Sequence, residues 1–139
     1  MISTDDIELG REVVRTGRLQ ELRARLGLTR NAMADLLHTS YPTYTSWENR
    51  ATINLWPSTA DRVGRFYRVA MEEARLMEEA GFPLGQLVPF RVASTLLGLP
   101  QEMFLRMYRD GEVAAVDAGI LGLWLEKTEL ERLQGKHEV

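Results

Sequence analysis

The segment of residues 28–50, LTRNAMADLLHTSYPTYTSWENR, constrains the fold of this chain more than any other stretch. Its apolar residues Leu28, Met33 and Leu37 lie at the spacing of one helical face, so a short helix is predicted there. Ala34 is small at the point where a second helix would cross the first. The pattern therefore predicts two short helices that pack closely and are joined by a tight turn.

The second helix of this pair is predicted to begin at Ser40, a residue type that caps helix N-termini. Pro42 then falls in the first turn, where its missing amide hydrogen is not needed. Tyr44 and Trp47 are three residues apart and are expected to pack inward. The other side chains form a short, polar and nearly uncharged outer face, which suits contact with the edges of bases. The outer-face residues are Tyr41, Pro42, Thr43, Thr45, Ser46 and Asn49.

A set of residues within this segment carries a family resemblance. Its members are Leu28, Thr29, Ala34, Leu36, Leu37, Ser40, Thr43, Trp47 and Glu48. In this register, residues 16–80 resemble the lambda-repressor/Cro-like (XRE) helix-turn-helix family of DNA-binding proteins. His38 departs from the family pattern, which prefers glycine in the turn, because histidine adopts the left-handed backbone conformation only at some cost.

The resemblance implies how the two helices would meet DNA. The second helix would enter the major groove, and its six outer-face residues would read base edges. Other side chains near it would fix the register on phosphate groups. The predicted phosphate contacts are Arg30, Ser40, Arg50 and Thr52.

Charge is distributed unevenly along the chain, although the net charge is −3. Residues 9–70 contain ten arginines against five acidic residues, and acidic segments flank this basic block. Arginine accounts for nearly all the basic residues, and its planar guanidinium suits phosphate and guanine. A basic block around the predicted helix pair indicates double-stranded DNA as a partner.

Composition argues against several other classes of protein. The chain has no cysteine, so neither a disulfide framework nor thiol chemistry is expected. It contains no apolar run of about 18 residues and no signal peptide, which predicts a cytoplasmic protein without membrane contact, in the host cytoplasm if phage-encoded. Two histidines and no glycine-rich phosphate loop with lysine give no basis for an enzyme, a metal site or a cofactor.

The sequence suggests one domain boundary. Residues 81–86, GFPLGQ, contain two glycines and one proline between an acidic helix end and a new apolar segment. We expect a hinge there, with a DNA-binding domain at residues 1–80 and a second domain at residues 87–139.

The second domain is predicted to be helix, turn, helix, two-stranded wing and final helix. Helices are expected at residues 92–97, after Pro100 and from about Lys127, and strands at residues 113–116 and 120–125. The matching positions are Ala93, Leu97, Gly98, Pro100, Arg109, Gly111, Glu112 and Ala115. They give residues 86–134 a resemblance to MerR/excisionase-like winged helix-turn-helix modules.

That second resemblance implies a second set of DNA contacts and a wing tip at residues 118–122. The implied contacts are Gln101, Glu102, Arg106 and Arg109. Since this helix carries an acidic and an apolar residue outward, and Asp117 stands in an otherwise uncharged wing loop, contact with a protein is an open alternative.

We therefore predict a mainly α protein, with an N-terminal helix-turn-helix bundle and a small C-terminal winged module. The expected function is a sequence-specific DNA-binding transcription regulator, similar to a temperate-phage immunity repressor that blocks a promoter. Two unlike modules would allow one chain to read a bipartite, asymmetric site, although a homodimer is also open. The alternative is an antitoxin or anti-repressor-like protein whose C-terminal module binds a protein partner.

Overall fold

The computed structural model describes residues 4–49, 53–82 and 84–137. Over these residues the chain is mainly helical, with eight α-helices and one three-stranded antiparallel sheet, so the mainly α part of the predicted fold class is confirmed. The chain divides into two compact units, Met1–Arg75 and Leu76–Val139. Within the described part, no helix is both long enough and apolar enough to cross a membrane.

In its described residues the first unit contains helices and no strand. The fifth helix continues past the end of this unit, which stops at Arg75. The helices are α1 (Thr4–Arg15), α2 (Arg18–Leu26), α3 (Arg30–Leu36), α4 (Tyr41–Asn49) and α5 (Pro57–Glu79).

Local sequence signals explain where these helices begin and end. Gly17 and Gly27 both have positive φ angles, of 80° and 69°, and separate α1 from α2 and α2 from α3. Gly27 is the C-cap of α2, and its amide bonds back to the last turn of that helix. The hydroxyl of Thr29 accepts a hydrogen bond from the Ala32 amide at 3.1 Å, which caps α3.

A core of aliphatic and aromatic side chains holds the first unit together. The predicted apolar face of α3 is confirmed at Met33, with Leu28 and Leu37 buried beside it. Since each of these elements has one apolar face, burying the faces together stabilises the helices more than their own propensities do. Other members of this core are Val13, Leu22, Leu26, Tyr44, Trp47, Val63, Phe66 and Ala70.

Two glycines let α1 and α5 approach more closely than other residues would allow. A Cβ atom added at Gly10 would lie 1.9 Å from the carbonyl oxygen of Ala60. A Cβ added at Gly64 would lie 1.9 Å from the carbonyl oxygen of Asp6. Glycine in a helix interior is unfavourable by about 1 kcal/mol relative to alanine, so this close backbone contact accounts for both residues.

The second unit combines helices with a small sheet. Its strands lie in the order β1-β3-β2, and all neighbours are antiparallel. Val88 pairs with Leu125, and Val116 pairs with Trp124. The elements are β1 (Leu87–Pro89), α6 (Phe90–Leu96), α7 (Gln101–Arg109), β2 (Val116–Asp117), β3 (Leu123–Glu126) and α8 (Lys127–His137).

The sheet differs from the predicted two-stranded wing. A third strand, β1, was missed because three residues ending in a proline show no alternation. Residues 113–115 were predicted as strand but lie outside it, with Val113 buried in the core. The predicted wing tip is a turn of 3-10 helix at Gly119–Leu121, and Leu121 is buried rather than displayed.

The core of the second unit lies between the sheet and its helices. Phe90 stacks on the buried Phe104 with ring centroids 4.3 Å apart. Trp124 of β3 is fully buried, and its indole nitrogen donates a hydrogen bond to the Leu121 carbonyl at 3.0 Å. The indole bond fixes the turn that precedes β3. Within the predicted hinge, Leu84–Gln86 form a 3-10 turn with Leu84 buried; whether these residues act as a hinge stays a prediction.

We predict that Gly10→Ala and Gly64→Ala each lower the free energy of unfolding by about 1–3 kcal/mol, because a new methyl group would force the two backbones apart. Gly135→Ala in α8 is the matched control, since nothing lies within 4 Å of an added Cβ there. The control variant should be neutral or more stable, by up to about 1 kcal/mol. Urea unfolding followed by circular dichroism measures all three, and equal stability of the three variants would contradict the proposed close contact.

Candidate nucleic-acid interface

The turn between α3 and α4 fixes how the two helices meet. His38 adopts a left-handed conformation with φ of 55°, as its place in the turn required. Its amide donates to the Asp35 carbonyl at 3.1 Å, and the Thr39 amide donates to the Ala34 carbonyl at 3.0 Å. This bonding pattern closes a helix C-terminus and satisfies carbonyls that would otherwise lack partners.

The first turn of α4 has the predicted cap. The hydroxyl of Ser40 accepts a hydrogen bond from the Thr43 amide at 3.3 Å and donates one to the Thr43 hydroxyl at 2.8 Å. Pro42 lies in this first turn without loss of a helical hydrogen bond. The helix therefore starts where the sequence predicted.

One side of α4 is anchored in the core by two aromatic rings. Tyr44 and Trp47 are buried, and their rings meet edge to face with centroids 6.0 Å apart. Their predicted inward orientation is confirmed. Burial of two large rings from one short helix sets its rotation about its own axis, and thereby determines which residues face outward.

A buried carboxylate adds a second anchor. Glu48 on α4 has a side chain only 3% exposed, and it is held by Arg23 from α2 and Arg30 from α3. The Nε of Arg23 lies 2.7 Å from Oε2 of Glu48, and the Nε of Arg30 lies 3.0 Å from Oε1. Arg23 also donates to the Leu28 carbonyl at 3.0 Å. One carboxylate thus connects three helices.

The protonation state of this cluster follows from its contacts. Burial by itself raises the pKa of Glu48, but the hydrogen bonds and charge of Arg23, the nearby Tyr44 hydroxyl and the hydrogen bond from Arg30 outweigh burial and leave the pKa below its ordinary value of 4.5. The hydrogen bond to Glu48 raises the pKa of Arg23. Burial raises the pKa of the Tyr44 hydroxyl, which stays protonated. At neutral pH the carboxylate is therefore ionised and paired.

Most of the predicted outer face of α4 is accessible. Tyr41 is 44% exposed, and Pro42, Thr43 and Asn49 are also exposed. Ser46 is half-buried, and its hydroxyl donates to the Thr43 carbonyl at 2.6 Å. At about 3.6 residues per turn, Pro42, Ser46 and Asn49 lie opposite the aromatic rings, and Tyr41 and Thr43 lie at the two edges of this outer face.

Thr45 differs from these residues because its hydroxyl group is enclosed. The residue is half-buried, and its hydroxyl oxygen is enclosed without a hydrogen-bond partner among the described residues. Its placement does not suit contact with a base.

Two of the four predicted phosphate contacts lie within the described residues. The Arg30 side chain is 40% exposed while its Nε is bound to Glu48. Ser40 is exposed at the start of α4. Arg50 and Thr52 lie outside the described residues.

The second unit brings its own predicted contacts together on α7. Gln101, Glu102, Arg106 and Arg109 are all exposed on this helix. Met103 lies among them with half of its surface exposed. The described part of the chain contains no cluster of histidine, cysteine or acidic residues that could hold a metal ion.

The sequence analysis missed the partners of Glu48. A signal for them was available: Glu48 directly follows the inward Trp47, and Arg23 belongs to the basic block of residues 9–70. A charged residue beside a core position needs an opposite charge, but spacing along the chain could not identify which arginine supplies it.

Comparisons with protein-family models, with curated proteins and with solved structures find no match for this chain. Its function is therefore argued from the residues and geometry of the site alone.

We predict that Glu48→Gln lowers the free energy of unfolding by about 2–3 kcal/mol near neutral pH, because two arginines lose their counter-charge at a buried site. Partial exposure of Arg30 keeps the loss below that of a fully buried pair. Glu72→Gln is the matched control, since Glu72 pairs with Arg75 at an exposed position, and no measurable loss is expected there.

The loss of stability in Glu48→Gln has a defined pH dependence. Because the folded-state pKa of Glu48 is depressed, its stabilisation is complete above about pH 4.5 and is lost as the pH falls through the folded-state pKa. The difference in stability between wild type and Glu48→Gln should therefore shrink only below that pH. Urea unfolding across a pH series measures it, and a difference that does not change with pH would contradict the ionised state of Glu48.

Proposed function

We propose that this chain is a sequence-specific double-stranded DNA-binding transcription regulator that reads its site with α4. The observation that carries the proposal is the two-sided character of this helix. One side is held by Tyr44, Trp47 and the Glu48 carboxylate, and the opposite side presents an exposed, uncharged polar surface. A rigid helix with such a surface suits insertion into a major groove.

Charge around α4 supports the same proposal. Arg30 is bound to Glu48 yet accessible, so it can contact a phosphate without leaving its position. Arg23 alone still bonds both carboxylate oxygens of Glu48, at 2.7 and 3.3 Å. Arg30 is therefore available to the phosphate backbone, which would set the register of α4 on the duplex.

The proposal also covers the type of module that each unit forms. In it, α3 and α4 form a helix-turn-helix of the XRE type, and the second unit is a winged variant with α7 as its second helix. Ser40 and Arg30 would contact phosphates, and Tyr41, Pro42, Thr43, Ser46 and Asn49 would face the bases. Occupation of a promoter would block polymerase, as in a phage-type repressor acting in the cytoplasm.

A second candidate function rests on the surface of the second unit. Leu96, Met103 and Ile120 are exposed apolar side chains there, and Glu102 and Asp117 add negative charge. Such a surface suits a protein partner better than a phosphate backbone. In this alternative the second unit binds a protein, as in an antitoxin or anti-repressor, while α4 serves autoregulation.

Selection from a randomised duplex library tests the proposed function. The full-length chain should enrich one sequence motif, and the Arg106→Ala/Arg109→Ala variant separates the two candidates. Loss of one part of a long asymmetric motif would assign a DNA contact to α7. An unchanged motif would assign the second unit to a protein partner, and enrichment of no motif would contradict the proposed function.

We predict that Arg30→Ala weakens binding to every duplex sequence and lowers the slope of log affinity against log salt by about one unit. Arg30→Lys is the control, because it keeps the positive charge and should retain most of the slope. Fluorescence anisotropy between about 50 mM and about 200 mM salt measures the slope. Equal slopes for Arg30→Ala and wild type would exclude Arg30 from the phosphate contacts.

A further inference from the structure

The hydroxyl groups of α4 are largely engaged within the helix itself. Ser46 donates its only hydroxyl proton to the Thr43 carbonyl at 2.6 Å, and Ser40 donates its proton to the Thr43 hydroxyl at 2.8 Å. The Thr45 hydroxyl is enclosed. Each of these hydroxyls would have to give up an internal bond, or leave its enclosure, before it could donate to a base. They are therefore poor candidates for strong base contacts.

The hydroxyls of Tyr41 and Thr43 donate no hydrogen bond within the described residues, but a single hydroxyl does not select one base. The groups of α4 that can select a base are of two kinds. Tyr41, Pro42 and Thr43 are exposed at the first turn and carry two rings and a methyl group. The side-chain amide of Asn49 is exposed at the last turn, and it makes no hydrogen bond within the part of the chain that the structure describes. The sequence of α4, YPTYTSWEN, contains no arginine and no lysine.

These two kinds of group match one class of base pair. Guanine is recognised mainly by arginine or lysine, and α4 has neither. Adenine is recognised by asparagine through its N6 and N7 atoms, and the 5-methyl group of thymine is recognised by apolar contact. We propose that α4 reads A·T pairs, with Asn49 on adenine and the surface of Pro42 and Thr43 on thymine methyl groups.

The geometry of α4 also limits where these contacts fall. Thr43 and Asn49 are six residues apart, which is about 9 Å along a helix axis. Since successive base pairs rise by about 3.4 Å, the thymine and adenine contacts fall within roughly four consecutive base pairs. The inference rests on the proposed function, because it names the bases that the proposed groove contact would select.

Modified bases test the inference on a duplex selected by the full-length chain. Replacing one contacted thymine by deoxyuridine removes only the 5-methyl group and should lower affinity about fourfold. Replacing the contacted adenine by 7-deaza-adenine removes only the N7 acceptor and should lower affinity about tenfold. Asn49→Ala should abolish the loss of affinity caused by 7-deaza-adenine and leave the loss caused by deoxyuridine unchanged. Asn31→Ala, at an exposed asparagine of α3, is the matched control and should retain both losses.

The outcomes separate this inference from the proposed function. Failure to enrich any motif overturns both. A motif whose central base pairs are G·C, or one in which neither modified base changes affinity, overturns the inference and leaves the function standing. If the selected motif contains a central guanine and Arg50→Ala loses the preference for it, Arg50 reads that base. This result would also overturn the inference.

Discussion

The candidate interface of the first unit depends on the ion pairs that the Glu48 carboxylate forms with Arg23 and Arg30. The Glu48 side chain is 3% exposed, and its charge is balanced by Arg23, which bonds both carboxylate oxygens, and by Arg30, which bonds one. The three residues come from three different helices, so one set of hydrogen bonds fixes α4 relative to α2 and α3. Together with the buried Tyr44 and Trp47 rings, it makes α4 a rigid platform.

The core contacts on one side of α4 determine which groups its other side can present to a duplex. A helix that must present the same groups to a duplex each time gains affinity when little ordering is needed on binding. The internal hydrogen bonds of Ser40 and Ser46 hold the first turn in place and leave apolar groups and one amide to make selective contacts. We propose that charge at the edge of α4 positions the helix on the duplex, and that methyl and amide groups at its centre select the bases.

Much of this arrangement was predictable from sequence, because periodicity and capping act locally. The α3–α4 pair, the Ser40 cap, the inward aromatic rings and the Gly27 helix end all follow from residues near one another. Interactions between distant residues were not predictable. The Arg23–Glu48 pair, the close backbone contact at Gly10 and Gly64, and the short β1 strand each depend on segments brought together only by the fold. The enclosure of the Thr45 hydroxyl also depends on packing that spacing along the chain does not show.

Amide chemical-shift mapping of the full-length chain tests most directly the central claim, that the outer face of α4 meets DNA. A duplex carrying the selected motif would be titrated into the labelled protein, with a scrambled duplex of equal length and composition as reference. The account predicts that the amides of Thr43, Ser46 and Asn49 shift strongly with the selected duplex and weakly with the scrambled one. Unchanged α4 amides, with shifts confined to other parts of the chain, would contradict it.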